Sequence, residues 1–206
     1  MSNKSDVAKH FPRDIADHVL GVISDDGKGT RHLRGINKDG GSDMCFTVVT
    51  VPGFLFYAGD MGGFSFAVGS FGNPRDALAC FSGTTDKYYL AQKLDAVDKG
   101  EGYKSFSSEL FLDTLREYLK QKLDDGALNN KQMKEIEEDY IRYASTASYE
   151  EARDLGDDIA HNYGFEIDWC DWSECNELTY RYEWAVKAIA WAADHYFKQK
   201  ESALGS

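Results

Sequence analysis

The stretch that decides the fold runs from Met44 to Val68 and reads MCFTVVTVPGFLFYAGDMGGFSFAV. It contains three short runs of β-branched and aromatic residues, the residue types that favour strands. The runs are Met44 to Val51, Phe54 to Ala58 and Phe64 to Val68. Pro-Gly and Gly-Asp-Met-Gly-Gly separate them, and both are tight-turn sequences that leave no room for a helical crossover. The stretch therefore predicts an antiparallel β-meander.

The sequence before the meander predicts one helix and one strand. Pro12 lies near the start of Lys9 to Leu20, which predicts a short helix. Arg31 to Ile36 predicts the first strand of the sheet. Ser24 to Thr30 reads SDDGKGT, and this composition predicts a loop between the two. We therefore expect residues 1–70 to form an N-terminal helix and an antiparallel sheet.

Helical patterns dominate residues 73–200, with expected helices at about 73–81, 85–94, 107–123, 130–144, 148–163 and 176–200. Asn73-Pro74 is an N-cap followed by proline at the first helical position, and Ser148 with Glu151 forms a capping box. In the last helix an apolar stripe recurs at helical spacing: Leu178, Tyr182, Ala185, Ile189, Ala192 and Tyr196. The predicted fold class is α+β, a single domain over 1–206 in which the small sheet packs against the mostly helical back half.

The composition is typical of a folded protein that remains in the cytoplasm. The 206 residues are 42% hydrophobic and include 12 Phe, 12 Tyr and 4 Trp, enough to bury a substantial core. No apolar run approaches the roughly 20 residues that span a bilayer. Met1 to Asp17 is polar and lacks the apolar segment of a signal peptide. We expect a cytoplasmic protein that does not engage a membrane, with its cysteines reduced.

The acidic residues are concentrated in one segment. The net charge is −12, from 23 basic and 35 acidic residues. Glu135 to Glu177 contains fourteen acids and only two bases, Arg142 and Arg153, so its net charge equals that of the whole chain. One interpretation is a solvated face that keeps the protein soluble. The other is a surface that occupies a basic groove built for nucleic acid, because carboxylates at phosphate-like density meet the same Arg and Lys side chains.

The second interpretation makes this segment a partner-binding site. The run DWCDW at 168–172 places two tryptophans inside it, and Trp within a charged rim has the composition of an interface hot spot. Both tryptophans are equally compatible with a buried core. The predicted partner-binding residues are Glu135, Glu138, Glu150, Glu151, Asp154, Asp157, Asp158, Asp168, Trp169, Asp171 and Trp172.

The glycine-rich turn at 59–63 is a second candidate site. It has no following Lys-Ser/Thr and does not open a helix, so it is neither a P-loop nor a dinucleotide fingerprint. As a hairpin turn it needs glycine for positive φ, with Asp60 capping the turn; as a backbone nest it would bind an anion. An alternative function is therefore a small-ligand (nucleotide) binding protein or enzyme with a pocket between sheet and helices. Its predicted site is His32, Arg34, Asp60 and Gly62.

The sequence contains no recognised catalytic or metal-binding motif. GxSxG, HExxH and paired CxxC are all absent from it. His161, Cys170 and Cys175 offer three zinc ligands without a fourth, whereas structural zinc takes four. We therefore predict that the chain is not an enzyme and needs no metal and no cofactor.

Direct DNA binding is a third alternative. Lys28, Arg31 and Arg34 predict a small exposed basic edge at the start of the first strand. The acidic net charge opposes binding to phosphates, so this alternative ranks below a protein partner. The sequence also leaves a homodimer open.

Two stretches resemble a family of unassigned function that is widespread in phages and prophages. The first carries Arg31-His32-Leu33-Arg34, Val51-Pro52-Gly53 and Gly59-Asp60-Met61-Gly62. Family members carry Arg-His-Leu-Arg, Trp-Pro-Gly and Gly-Asp-Met-Gly in the same order, so this chain departs in having Val51 in place of Trp. The second stretch, Tyr182 to Trp191, is similar to the C-terminal helix of the family. Together the two bracket about 160 residues.

The resemblance implies a mobile-element origin and expression in the cytoplasm of a bacterial host. Small acidic phage proteins often inhibit host defence, and they include anti-CRISPR proteins that block Cas effectors. For this chain the resemblance implies an anti-defence inhibitor, and the acidic segment Glu135 to Glu177 indicates that it acts as a nucleic-acid mimic. Its expected partner is a basic host defence protein such as a Cas9-type nuclease complex, whose nucleic-acid channel is positively charged.

Overall fold

A computed structural model describes residues 7–69, 75–83, 86–100, 102–143, 148–168 and 175–204. By its internal contacts the chain divides into two compact units. We call Lys104–Glu177 the helical unit, and Asn3–Tyr103 with Leu178–Ser206 the sheet unit. Each unit has its own hydrophobic core. The α+β class expected from the sequence is confirmed, and the single domain stays a prediction.

The sheet unit is built on a six-stranded antiparallel meander. Its strands are β1 (His18–Asp25), β2 (Arg31–Asn37), β3 (Phe46–Val51), β4 (Phe54–Gly59), β5 (Gly62–Ala67) and β6 (Leu94–Val97). The strands pair in chain order, because the connections between the central ones are too short for any other arrangement. Side chains in β3 and β4 alternate between buried and more exposed positions, as the alternating pattern requires. The meander expected over Met44 to Val68 is confirmed.

The long helix α6 (Tyr180–Leu204) contacts the sheet and closes its core. The six residues of the predicted apolar stripe are all buried, but the helix expected from 176 begins only at Tyr180, so Leu178 belongs to a short strand, Asn176–Leu178, and not to α6. Helix α1 (Val7–Asp14) packs beside α6, and the fully buried Trp184 of α6 contacts both α1 and the sheet. The centroid of the Trp184 ring is 5.3 Å from that of Phe11 in α1 and 6.1 Å from that of Phe46 in β3. One tryptophan therefore ties two helices to the sheet.

The helix expected over Lys9 to Leu20 is too long, and its last residues form a strand. The helix ends at Asp14, and β1 begins at His18. The prediction that Arg31 to Ile36 is the first strand is therefore wrong, because β2 lies between β1 and β3. The physical reason is tertiary: Val19 and its neighbours gain ladder hydrogen bonds along β2 that a short isolated helix cannot offer.

The two helices expected near 73–94 are largely absent from the part of this segment that the structure describes. Asn73-Pro74 lies outside the described residues, and 75–81 contains only a 3₁₀ turn at Ala79–Phe81. The next helix is the short α2 (Lys87–Ala91), because Leu94 already belongs to β6. The sheet therefore extends into the back half, which the boundary at residue 70 had assigned to helices alone.

The helical unit contains α3 (Ser108–Asp124), α4 (Asn130–Asp139) and α5 (Tyr149–Tyr163). Each begins at a side chain that accepts a backbone N–H, and Ser148 forms the expected capping box at α5. The helix expected over 130–144 is shorter, since a 3₁₀ turn follows α4. Strands β7 (Lys104–Phe106) and β8 (Asn176–Leu178), which the sequence did not predict, pair with each other. No helix among the described residues is long and apolar enough to span a bilayer.

Candidate functional site

The charge of the chain follows its structural units. Lys104–Glu177 carries 8 Lys and Arg residues against 19 Asp and Glu residues, a net charge of −11. The rest of the chain carries 15 basic and 16 acidic residues, a net charge of −1. The acidic excess found in the sequence therefore belongs to the helical unit, and the sheet unit is nearly neutral.

Two of the four acids of α4 are matched by lysines on the same helix. Glu135 lies 3.4 Å from Lys131 and Glu138 lies 3.7 Å from Lys134, each pair one helical turn apart. Both lysines stand just before the segment Glu135 to Glu177, so the count over that segment did not include them. Glu135 and Glu138 are predicted partner-binding residues, but their local pairs reduce the charge they offer to a partner.

Helix α5 concentrates acids on its exposed side. Five of them fall within nine residues, while Ala152, Gly156 and Ile159 on the opposite side are buried. The five exposed acids are Glu150, Glu151, Asp154, Asp157 and Asp158. Nine helical residues rise about 12 Å, which gives one carboxylate per roughly 3 Å along the helix axis. This interval is close to the roughly 3.4 Å between phosphates along one strand of duplex DNA.

Two of these five acids are engaged within the helix. The Oε2 atom of Glu151 accepts the backbone N–H of Ser148 at 2.7 Å, and this donation holds the pKa of the Glu151 carboxyl below its usual range. Asp157 lies 3.9 Å from Arg153 one turn earlier. Glu151 therefore has a structural role in capping α5, and a test of binding should leave it unchanged.

The other three acids, Glu150, Asp154 and Asp158, form a row at successive turns of α5. None of them forms an ion pair with a residue that the structure describes. Like charges at this spacing destabilise a helix by about 0.2 to 0.5 kcal/mol per pair, and no contact with the core offsets that cost. We call these three residues the acidic row. Its three residues combine exposure with a charge that no cation among the described residues matches.

The remaining predicted partner-binding residues lie at the end of the helical unit. Asp168 is exposed. Trp169, Asp171 and Trp172 lie outside the described residues, as does Cys170 of the zinc alternative. Among the residues that are described, no three His, Cys, Asp or Glu side chains are placed to hold a metal ion.

The structure does not bring the predicted anion-site residues together. His32 and Arg34 alternate with the buried Leu33 in β2, so they face away from the core. Gly62 begins β5, and the pairing register places β3 and β4 between it and Arg34. Three inter-strand steps of about 4.8 Å separate β2 from β5 by about 14 Å. These residues therefore do not line a common pocket between sheet and helices.

The exposed basic edge predicted at Arg31 is wrong, because Arg31 is buried on the core side of an interior strand. Its two Nη atoms donate to the carboxylate of Asp76 at 2.8 and 2.7 Å, and its guanidinium lies 5.0 Å from the ring centroid of Tyr196. Burial alone would raise the pKa of Asp76, but the hydrogen bonds and charge of Arg31 outweigh it and lower that pKa. Arg31 is thus separated from His32 and Arg34 by the sheet itself.

The glycine-rich turn connects β4 to β5 and holds an ion pair. Asp60 Oδ2 accepts the backbone N–H of Met44 at 2.7 Å, so its carboxylate anchors a neighbouring loop. The N–H of Gly63 donates to Asp98 Oδ2 at 2.8 Å, and Arg181 Nη2 lies 3.0 Å from the same oxygen. Residues 59–63 therefore form a hairpin turn, and the backbone amide of Gly63 binds the carboxylate of Asp98.

We expect Gly62→Ala to destabilise the chain by about 1 to 2 kcal/mol. Gly62 has a φ of +97°, which L residues rarely adopt. A Cβ at this position would also overlap the side-chain ends of Arg181 and Asp98. Urea unfolding measures the effect, and Gly63→Ala is the matched control, because its Cβ would lie 3.7 Å from the nearest atom. Equal destabilisation by the two substitutions would contradict this account of the turn.

A cleft that sequence reasoning did not identify lies beside the β1–β2 loop. Its volume is about 250 Å³. It is lined by Lys28, Gly29, Arg31, Pro52, Arg75 and Asp76, together with Gly27. Lys28 and Arg31 belong to the predicted basic edge, but the sequence predicts no cleft there. The sequence gives no sign that Arg75 lies near Lys28, because the two residues are far apart in the chain and meet only in the folded protein.

Comparison of the chain with family models, with curated proteins and with solved structures found no match. The resemblance to the phage family therefore stays a prediction.

Proposed function

We propose that this chain is a binding protein that inhibits a host nucleic-acid-handling effector through the acidic row on α5. The observation that carries the proposal is the row itself: three exposed carboxylates at successive turns, with no cation paired to them among the described residues. Glu135 and Glu138 of α4, by contrast, are already matched by lysines within the chain. Unmatched acids remain available to a partner of opposite charge.

The mechanism is competition for cations that otherwise hold phosphates. Arg and Lys side chains in a nucleic-acid groove form charge-assisted hydrogen bonds with phosphate oxygens, and carboxylate oxygens accept the same bonds. Residues of the acidic row follow one another at about 6 Å along the helix, so one face of α5 can meet several such cations at once. Occupied cations are unavailable to nucleic acid. The inhibition is reversible and needs neither a covalent step nor a cofactor.

The partner class follows from the resemblance to phage proteins together with the charge. An anti-defence, anti-CRISPR-like protein acts in the cytoplasm of a bacterial host, where CRISPR effectors hold nucleic acid in positively charged channels. A Cas9-type nuclease complex is the first target to test. Direct DNA binding is disfavoured, because the helical unit carries a net charge of −11 and repels phosphates.

The proposal is tested by displacement of target DNA from a purified Cas9–guide RNA complex. A fluorescent duplex with a matching sequence and PAM reports binding by anisotropy, and gel analysis reports cleavage. We expect the chain to prevent both when it is added before the duplex and to act weakly when added after it. Unchanged DNA binding and cleavage at a large molar excess of the chain would remove Cas9-type complexes as the target.

A further inference from the structure

We propose that the sheet unit binds the phosphoryl group of a small phosphorylated molecule in the cleft between the β1–β2 loop and Arg75. The cleft, of about 250 Å³, is lined by three cationic side chains and one carboxylate. The cations are Lys28, Arg31 and Arg75, and the carboxylate is Asp76. The site lies in a different unit from the acidic row, and it does not depend on the inhibitory function proposed above.

The cations of the cleft retain binding capacity. Lys28 and Arg75 are exposed, and neither forms an ion pair with a described residue. The side chain of Arg31 is only 8% exposed, and its Nη atoms are satisfied by Asp76. Its Nε is also buried and has no hydrogen-bond partner among the described residues. Arg31 therefore adds its charge to the lining of the cleft, while the exposed Lys28 and Arg75 supply the donors that a bound anion can reach.

The carboxylates of the adjoining loop are engaged with other groups. Asp26 Oδ1 accepts the backbone N–H of Lys28 at 2.7 Å. Asp25 pairs with Lys200 at 2.7 Å and accepts the hydroxyl of Tyr196 at 2.7 Å, and these contacts hold the pKa of Asp25 well below its usual range. Asp25 is therefore neutralised by Lys200. Asp26 keeps its charge, since backbone amides and no cation among the described residues bind it, but it does not line the cleft, where the exposed charged side chains are Lys28 and Arg75.

The charge and size of the cleft indicate which anion it fits. Three cations and one carboxylate give its lining a net charge of +2. A phosphomonoester carries about −1.5 to −2 at neutral pH, so the two charges match. At about 30 Å³ per water molecule, the cleft holds roughly eight waters. That space suits a phosphate or diphosphate group, with the rest of the ligand outside the cleft.

A small phosphorylated molecule fits better than a nucleic-acid backbone. Each phosphodiester in a backbone carries a single charge, and duplex binding requires a basic surface along many phosphates. Outside the helical unit the chain has 15 basic and 16 acidic residues, which provides no such excess. Gly29 at the edge of the cleft has a φ of +107° and is buried against Pro52, so the β1–β2 loop needs glycine at this position.

The test is a calorimetric titration of the full chain with inorganic pyrophosphate at low ionic strength, in a buffer free of phosphate. The test variant is Lys28→Gln with Arg75→Gln, and the matched control is Arg34→Gln with Lys99→Gln. All four side chains are exposed and have no ion pair with a described residue, so both doubles should keep the unfolding midpoint of the wild type. We expect saturable binding of one pyrophosphate per chain.

We expect the cleft variant to weaken pyrophosphate binding at least about 10-fold, because two charged donors are lost. The control should bind within about 2-fold of wild type, since it loses the same charge elsewhere in the sheet unit. Absence of saturable binding to the wild type, or equal weakening in the two doubles, would overturn the proposal. The chain could instead bind a 15-base-pair duplex more tightly than pyrophosphate and lose that binding in the cleft variant. This result would overturn the proposal of a small ligand and assign the cleft to nucleic acid.

Discussion

Reversing the acidic row with Glu150→Lys, Asp154→Lys and Asp158→Lys should weaken the complex with a basic effector by at least about 100-fold. Close charge pairs at interfaces contribute about 1.5 kcal/mol or more each, so three lost pairs remove roughly 4 kcal/mol. Each 1.4 kcal/mol is a factor of ten in affinity, and repulsion by the new lysines adds to the loss. The measurement is the dissociation constant for the Cas9–guide RNA complex, alongside inhibition of DNA cleavage.

The matched control for this reversal is Asp39→Lys, Asp43→Lys and Asp95→Lys. These acids are also exposed and unpaired among the described residues, but they belong to the sheet unit. Both variants change the net charge by the same amount, so a difference in affinity reports position rather than total charge. If the two triples weaken binding equally, the acidic row is not the contact surface.

A neutral variant separates loss of contact from damage to the helix. Glu150 lies in the first turn of α5, where a lysine is unfavourable beside the helix N-terminus by about 0.3 to 1 kcal/mol. Glu150→Gln, Asp154→Asn and Asp158→Asn avoids that penalty and leaves the capping carboxylate of Glu151 in place. We expect it to weaken binding by about 10-fold or more with an unchanged helical circular dichroism spectrum.

Trp184→Ala should lower the free energy of unfolding by about 3 to 5 kcal/mol, the largest stability effect that we expect in this chain. The side chain is fully buried, and its removal leaves a large cavity near α1 and β3. Its Nε1–H also donates to Asp14 Oδ2 at 3.3 Å, and the Asp14 side chain is nearly buried. A domain with 5 to 15 kcal/mol of stability loses a large share of it. Urea unfolding at neutral pH measures the change.

Two further substitutions establish the cause of this loss. Tyr88→Ala removes an aromatic ring that is 61% exposed, and surface changes of this kind usually stay within about 0.5 kcal/mol. Trp184→Phe keeps much of the buried ring but lacks the donor to Asp14, so its cost should fall between the two. A Trp184→Ala variant as stable as Tyr88→Ala would show that α6 does not pack on the sheet as described.

The central sheet could be predicted because its signals are local. Between Met44 and Val68, strand residues and tight turns follow each other with no gap, and alternation fixes which side chains face the core. Strand β1 was missed because His18-Val19-Leu20 continues a plausible helical pattern. Strand β6 was missed because Leu94-Asp95-Ala96-Val97 contains one β-branched residue and resembles the end of a helix. Both strands owe their conformation to neighbours that are distant in sequence.

In the candidate sites, too, features set by local sequence could be predicted, and contacts between distant residues could not. The acids of α5 recur at helical spacing, so their common face followed from the sequence alone. The ion pair of Glu137 in α4 did not, because Arg116 reaches it from another helix at 3.0 Å. Lys28 and Arg75 line the same cleft although they are distant in sequence, and no local sequence pattern predicts that they lie close together. Sequence therefore predicted the charge and missed its partners.

The most direct test of the central claim is the dissociation constant between this chain and the Cas9–guide RNA complex, measured as a function of salt concentration. If the acidic row meets basic side chains, affinity should fall by roughly 10-fold between 50 and 200 mM salt, and the neutral variant should show a shallower dependence. Affinity that does not change with salt, or a salt dependence that the neutral variant shares in full, would contradict an acidic row that occupies a nucleic-acid groove.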